Sequence, residues 1–425
     1  MDYTASEVLQ FTEENDVKFI RLAFCDFFGN MKNISIMPGE LPRAFKTGIS
    51  FDASRLLGMT DFIDTDLYLF PDPATLKVLP WRPSHGRVVR LFCDIRYPDG
   101  TPFEGDGRTL LRQVEQKLKK KGFTAQIGTE CEFYLFERDD TGHPTTTPFD
   151  HASYLDVAPL DKGENVRRDI CLTLEKMDIS PSASHHEKGP GQNEIHFNSA
   201  APLYAADNFI TFKSVVKTMA ASNGLFASFM PLPLKNEAAS GLHINISLEK
   251  GGANAASESF IAGILDHAAE MTVFLNPLVN SYERFEKSAS GAPVNISWSY
   301  KNLTSLLRVK KAPDGGTIIN LRSPDAALNP YFALCLILSA GLDGITRSLS
   351  LCPPAETQEA LENSARLPQS LKDAAEKALN APFIGSVLPK RLIQVYTRCK
   401  ITEFENMQTA EQSDTFCQSA YFLTV

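Results

Sequence analysis

The sequence is poor in several features that would have narrowed its function at once. Cysteine is one. Eight Cys in 425 residues, at 25, 93, 131, 171, 335, 352, 399 and 417, form no C-x-x-C pair. That excludes a disulfide scaffold and gives no sign of a thiolate zinc site. Most stand beside apolar neighbours, as in Leu334-Cys335-Leu336, and are expected to be reduced, buried small hydrophobes in a cytoplasmic protein. Basic charge is also short. Lys+Arg number 42 against 51 Asp+Glu, a balance of 42 − 51 = −9. That is the wrong sign for a surface that grips a phosphate backbone, so no nucleic-acid partner is expected.

Long apolar runs are missing too. The longest, near Tyr331–Leu342, spans about a dozen residues and ends at Asp343, whereas a membrane helix needs about 20. It predicts a buried helix, and no membrane partner. The opening MDYTASEVLQFTEEND has neither a basic nor an apolar signal region, so no signal peptide is expected. There is no G-x-x-x-x-G-K-[ST], no G-x-G-x-x-G after a strand and no G-x-S-x-G elbow. Any nucleotide site must then rely on metals and arginines.

Hydrophobic residues make up 43% and charged residues 22%, which fits a globular chain and not a disordered one. Alternation predicts strands over 17–24, 33–36, 67–70 and 88–94. The cluster Pro98-Asp99-Gly100-Thr101-Pro102 is dense in turn residues. It suggests a boundary between a strand-rich domain, 1–100, and a larger one, 101–425. The second opens with a predicted helix over 108–121, whose last turn holds Lys119, Lys120 and Lys121 before Gly122. Further helices are expected over 208–221, 257–274, 330–345, 370–379 and 389–404.

Four segments of the larger domain share one pattern. Residues i and i+2 of a strand lie on one face. Glu130 and Glu132 therefore share a face, with Cys131, Phe133 and Leu135 opposite. Glu194 and His196 share one against Ile195 and Phe197. His243, Asn245 and Ser247 share one against four aliphatics, and Asn320 and Arg322 face away from Ile319 and Leu321. His185 to Gln192, expected as a loop, adds Glu187. Half-exposed antiparallel strands alternate by default, so any one segment has an ordinary explanation. The residue types argue for more. Four Glu with His and Asn are ligands for a hard divalent cation, Mg²⁺ or Mn²⁺. His185 and His186, being adjacent on an extended backbone, cannot both serve one ion.

These segments resemble the glutamine synthetase family, of the bacterial type I kind, over nearly the whole chain. Phe24-Cys25-Asp26-Phe27-Phe28-Gly29 and Phe51-Asp52-Ala53-Ser54 resemble its N-terminal part. Gly128-Thr129-Glu130-Cys131-Glu132-Phe133, His186-Glu187, Gly191-Gln192-Asn193-Glu194-Ile195 and Ser240-Gly241-Leu242-His243 resemble its metal and nucleotide motifs. Asn276-Pro277, Asn280-Ser281-Tyr282-Glu283-Arg284, Arg322-Ser323-Pro324-Asp325 and Asn329-Pro330-Tyr331 complete the set. The resemblance implies an α+β fold, an N-terminal β-grasp domain and a C-terminal catalytic domain with an antiparallel sheet. It implies an ATP-dependent ligase joining glutamate to ammonia or an amine through an acyl-phosphate, with ATP as co-substrate. It also implies self-association in rings, two stacked hexamers, in which Asp52 enters a neighbour's site.

By position, Glu132, Glu187 and Glu194 resemble one complete metal site, and Glu130 and His243 two ligands of a second. Arg284 and Arg322 resemble the clamps for glutamate, Arg308 a phosphate-contacting arginine, and Asp52 and Tyr154 the ammonium pocket. The departures lie in the same places. Asn320 stands where the second metal site has Glu, Leu303 and Ile318 where arginines are expected, and Gly291 where a flap Glu is expected. Ala238-Ala239 replaces Asn-Gly, Asn245 a histidine, and Arg55 a serine. Two explanations fit: a different substrate, or a relative that binds without turning over.

Overall fold

Short alternating strands punctuated by turn residues fold the N-terminal region into a sheet. In the computed structural model, described for residues 3–60, 62–63, 65–251, 253–254, 258–286, 292–311, 316–409 and 413–425, that sheet contains β1 (Val17–Cys25), β2 (Met31–Ile36), β3 (Ile49–Phe51), β4 (Leu67–Pro71), β5 (Lys77–Val78) and β6 (Arg87–Arg96). Their order is β2-β1-β6-β4-β3, with β5 on β6. Asp26 closes the first hairpin, because its Oδ1 accepts from the backbone N–H of Phe28 and of Asn30, each at 2.9 Å. Gly29 completes that turn at φ +81°, a left-handed conformation that a side chain resists. A helix at Ala5–Glu14, not anticipated above, starts on a Thr4/Glu7 capping box. That signal, T-x-x-E, stood in the sequence.

The helix expected over 108–121 is Gly107–Lys120, capped by the Asp106 side chain. It leads into the second sheet: β7 (Phe123–Arg138), β8 (Pro144–Pro148), β9 (Pro181–His186), β10 (Gln192–Phe197), β11 (Phe226–Ser228), β12 (Leu242–Lys250), β13 (Ala253–Asn254), β14 (Trp298–Ser299), β15 (Leu307–Lys311) and β16 (Thr317–Leu321). The central path runs β14-β15-β16-β12-β7-β10-β9. Every pair on it is antiparallel except the short β14–β15 pair, which is parallel. The fold is thus α+β. His185 and His186 end strand β9, so the loop expected there begins only at Glu187.

Helices Pro202–Ser222, Glu258–Leu275 and Pro330–Arg347 carry the broadest apolar surfaces, and the expected buried helix is the last of them. Among the described residues no helix is long and apolar enough to cross a membrane. All eight cysteines are free, but Cys352 is exposed, contrary to the expectation of general burial. Gly291 lies outside the described residues.

One buried cation ties the first sheet to helices of the larger domain. Arg108, 2% exposed, donates to Asp94 at 2.7 Å, Asp72 at 3.0 Å and Asp207 at 2.9 and 3.1 Å. Asp72 follows β4 and Asp94 lies within β6 of the first sheet, and Asp207 lies on the helix Pro202–Ser222. Removing the guanidinium leaves Asp72 and Asp94 to Arg112 and Asp207 to the Tyr331 hydroxyl, three carboxylates under-paired in a region of low dielectric. Arg108→Met is therefore expected to cost about 3–5 kcal/mol in urea-induced unfolding. A loss below about 1 kcal/mol, the range of exposed pairs, would refute this role.

Candidate active site

Cross-strand register brings the four polar faces together. Glu194 lies opposite Glu132, and His196 opposite Glu130. His243 pairs with Glu130 from the other side. Asn245 faces Asn320, Asn320 faces Arg308, and Lys310 faces Ile318. Directly paired residues on neighbouring antiparallel strands point to the same side of the sheet. One continuous polar surface therefore crosses β15, β16, β12, β7, β10 and β9. Behind it Cys131, Phe133, Leu135, Ile195, Ile244 and Leu321 pack into the core.

In the β7–β10 half, Glu132, Glu187 and Glu194 offer oxygens that all lie within 4.8 Å of one another. Gly241 N–H donates to Glu132 Oε2 at 2.8 Å and Gln192 Nε2 to the same oxygen at 3.2 Å. Burial, then the charges of Glu194 and Glu187, push the Glu132 carboxyl up to about 8. Burial and Glu194 likewise push Glu187 up to about 7. Glu194 is also penalised by burial, but hydrogen bonding and charge from His196 carry it below the usual range. Three oxygen donors that repel one another, two of them holding protons, are a fit for a hard divalent cation, which would displace those protons.

Two histidines flank this cluster: His196, placed beside Glu194 by strand spacing, and His185, which was expected on a loop. His185 Nε2 lies 3.3 Å from Glu194, and His196 Nε2 is 3.3 Å from its other oxygen. His186 points the opposite way, as expected for adjacent strand residues. It is fully buried, with Nε2 2.8 Å from Asp150 and Nδ1 2.6 Å from the Glu187 carbonyl. Asp150 Oδ1 also accepts from Gly191 N–H at 2.9 Å. His186 and Asp150 thereby fix the turn that presents Glu187.

The β12–β16 half is built differently. His243 Nδ1 lies 3.0 Å from Glu130 Oε2, and Asn245 Nδ2 donates to Glu130 Oε1 at 2.8 Å. Burial works against the Glu130 charge, yet His243 and Asn245 hold the carboxyl well below its usual range. Asn320 Nδ2 donates to Asn245 at 2.7 Å. Arg308, Lys310 and Arg322 crowd the same side, and their mutual repulsion helps depress Lys310 and Arg322 after burial does so. Lys310 was not anticipated, although Arg308 and Lys310 obey the same i, i+2 rule. Glu130 and His243 also offer ligand atoms within 4.8 Å of Glu194, but they bond each other, and Asn320 bonds Asn245 and does not join them.

The remaining predicted residues are more scattered. Arg322 Nε donates to the Leu303 carbonyl at 3.0 Å, and Leu303 is 54% exposed. Arg284 is 3% exposed and donates to the Ser323 carbonyl at 2.7 Å. It packs under Gly241, where a Cβ would lie 2.8 Å from its Nη2. Tyr154, 51% exposed, meets His185 edge-on at 5.7 Å. Ser247 lies farther along β12, opposite Gln126. Asp52 belongs to the first sheet's domain and bonds to Ser54 and Arg55.

Comparison with known proteins gives this arrangement a lineage. The family described as the glutamine synthetase catalytic domain matches residues 104–419, and the glutamine synthetase β-grasp domain matches 16–98. The chain belongs to the glutamine synthetase family. It is 42% identical to the glutamine synthetase of Clostridium saccharobutylicum over 96% of each chain. It is 40% identical to that of Methanosarcina mazei over 95% of this chain and 94% of the relative. A solved structure of GmaS in complex with ADP superposes with a TM-score of 0.86 at 26% identity, covering 99% of both chains.

The raised carboxyls give this glutamine synthetase-family site a pH signature. Burial and mutual repulsion hold protons on Glu132 and Glu187 as pH rises past the ordinary 4.5, and a cation bound there would displace them. Divalent-cation affinity is expected to increase with pH up to about 8. At pH 7, binding should release on the order of one proton. Titration calorimetry in buffers of different ionisation enthalpy reads this directly, and buffer-independent heats would contradict it.

Proposed function

We propose that this chain is an ATP-dependent ligase that joins the γ-carboxylate of glutamate to ammonia or an amine through an acyl-phosphate. The observation that carries the proposal is the convergence of Glu132, Glu187 and Glu194 within 4.8 Å, on a polar surface shared with Arg308 and Arg322. Glu132, Glu187 and Glu194 are the residues to hold a divalent cation, which would neutralise charge gathered on the phosphates. The all-oxygen set favours Mg²⁺ or Mn²⁺.

The chain's own groups supply the rest. Arg308 extends from β15, with its Nε held 3.3 Å from the Tyr300 carbonyl, and suits a transferring phosphoryl group. Arg322 presents a guanidinium to an acid's carboxylate, a planar match. Arg284 supports the Gly241 backbone, whose N–H also orients Glu132. Exposed Leu303 beside Arg322 and exposed Tyr154 beside His185 add apolar surface that ammonia alone does not need. A substituted amine is the better-suited nucleophile. Asp52 is exposed and far along the chain from this cluster, which agrees with a neighbour's site receiving it in a ring of two stacked hexamers. Eight free cysteines suit a cytoplasmic setting.

A second reading, binding without turnover, draws on Leu303, Ile318 and Asn320, where charged groups are replaced. Phosphate release from ATP with Mg²⁺, glutamate and a panel of ammonia and amines separates the two. Turnover with at least one amine is expected, and Glu194→Gln should lower kcat/KM by about 100-fold or more. Silence across the panel from a folded oligomer that still binds ATP would favour the second reading.

A further inference from the structure

The β12–β16 half of the site contains a hydrogen-bonded chain with a fixed direction. Arg322 Nη1 lies 3.4 Å from Asn320 Oδ1. Asn320 Nδ2 donates to Asn245 Oδ1 at 2.7 Å, and Asn245 Nδ2 donates to Glu130 Oε1 at 2.8 Å. A guanidinium only donates and an ionised carboxylate only accepts. Each amide between them must therefore turn its oxygen toward Arg322 and its nitrogen toward Glu130. The other Glu130 oxygen is taken by His243 Nδ1 at 3.0 Å.

A divalent ion needs oxygens or imidazole lone pairs aimed at one point. Here both Glu130 oxygens and the Asn320 oxygen are engaged, and Asn245 presents a nitrogen that cannot ligate. Positive charge is already supplied. Lys310 stands opposite Ile318, and Arg308 opposite Asn320, on the adjoining strand. Glu194 brings a second carboxylate within 4.8 Å of Glu130 and His243, but it already belongs to the cluster with Glu132 and Glu187, so a second ion would enter against three cations with Glu130 as its one unshared carboxylate.

We infer that this chain carries one resident divalent cation, at Glu132, Glu187 and Glu194, and that the chain Arg322–Asn320–Asn245–Glu130 with His243 and Lys310 stands in place of a second. Only the first half of this statement rests on the ligase reading. Asn320 is the deciding residue, because a carboxylate there cannot donate to Asn245 and would complete a ligand set with Glu130 and His243.

Mn²⁺ titration of the nucleotide-free protein, with free Mn²⁺ read by electron paramagnetic resonance, tests this without any turnover. One tightly bound Mn²⁺ per chain is expected. Glu130→Gln should keep that count with affinity changed less than about 10-fold, the lower bound for losing a residue that supports a ligand. Asn320→Glu should raise the count to two. Two tight ions in the unmodified chain, or a count that stays at one in Asn320→Glu, overturns the inference. A count of zero in a folded oligomer overturns it as well, and marks the failure of the ligase reading, since the first site would then be the one at fault.

Discussion

Carboxylate crowding on one face of a sheet is the constraint that organises this molecule. Glu132 and Glu194 face each other across β7 and β10, and Glu187 reaches the same space. Two unit charges about 4 Å apart repel by about 4 kcal/mol at an effective dielectric near 20. A fold does not keep such a cluster unless something answers it. Here protons on Glu132 and Glu187 do so in the absence of an ion, while His185 and His196 flank Glu194. Binding a cation exchanges protons for metal, so the strain of the site and its function have one origin.

Holding three repelling groups in place requires a rigid frame. The alternate residues of the same strands provide it: Cys131, Phe133, Leu135, Ile195 and Leu321 are buried in one core. A ligand on a strand so anchored moves little, which is what a preorganised site needs. His186 performs the equivalent task for Glu187, which sits on a turn and not on a strand. Its ring spans Asp150 and the Glu187 backbone and so braces the turn. Arg108 acts one level higher and fastens the first sheet to the helices behind the second.

The period-two rule made the face composition legible. Glu130 with Glu132, Glu194 with His196 and Asn320 with Arg322 needed only spacing, and the helix at Gly107–Lys120 needed only its charge and glycine signals. Strand order was not legible, because nothing local to β16 states that it pairs with β12. Lys310 was passed over for a related reason. A lysine near the end of a short strand normally belongs to a solvated face, and only the pairing with Ile318 gives it a partner surface. His185 lay hidden because the chain around it resembled a loop, and the capping box ahead of Ala5–Glu14 was available but unread.

Pairing also changes the meaning of the substitutions. Taken singly, Ile318 and Asn320 are losses, one of a cation and one of a ligand. Taken across the ladder, Lys310 restores a cation directly beside Ile318, and Asn245 hydrogen-bonds both Asn320 and Glu130. Replacing Asn320 alone with an apolar residue would leave Asn245 short of a donor and Glu130 under-supported. Unrelated decay has no reason to keep donors and acceptors matched along four residues. The match is the mark of a polar network retained as a unit, since a partly satisfied network in a low dielectric costs more than an apolar replacement. On that ground the β12–β16 half of the site is a matched polar network, with its cations on β15 and at Arg322.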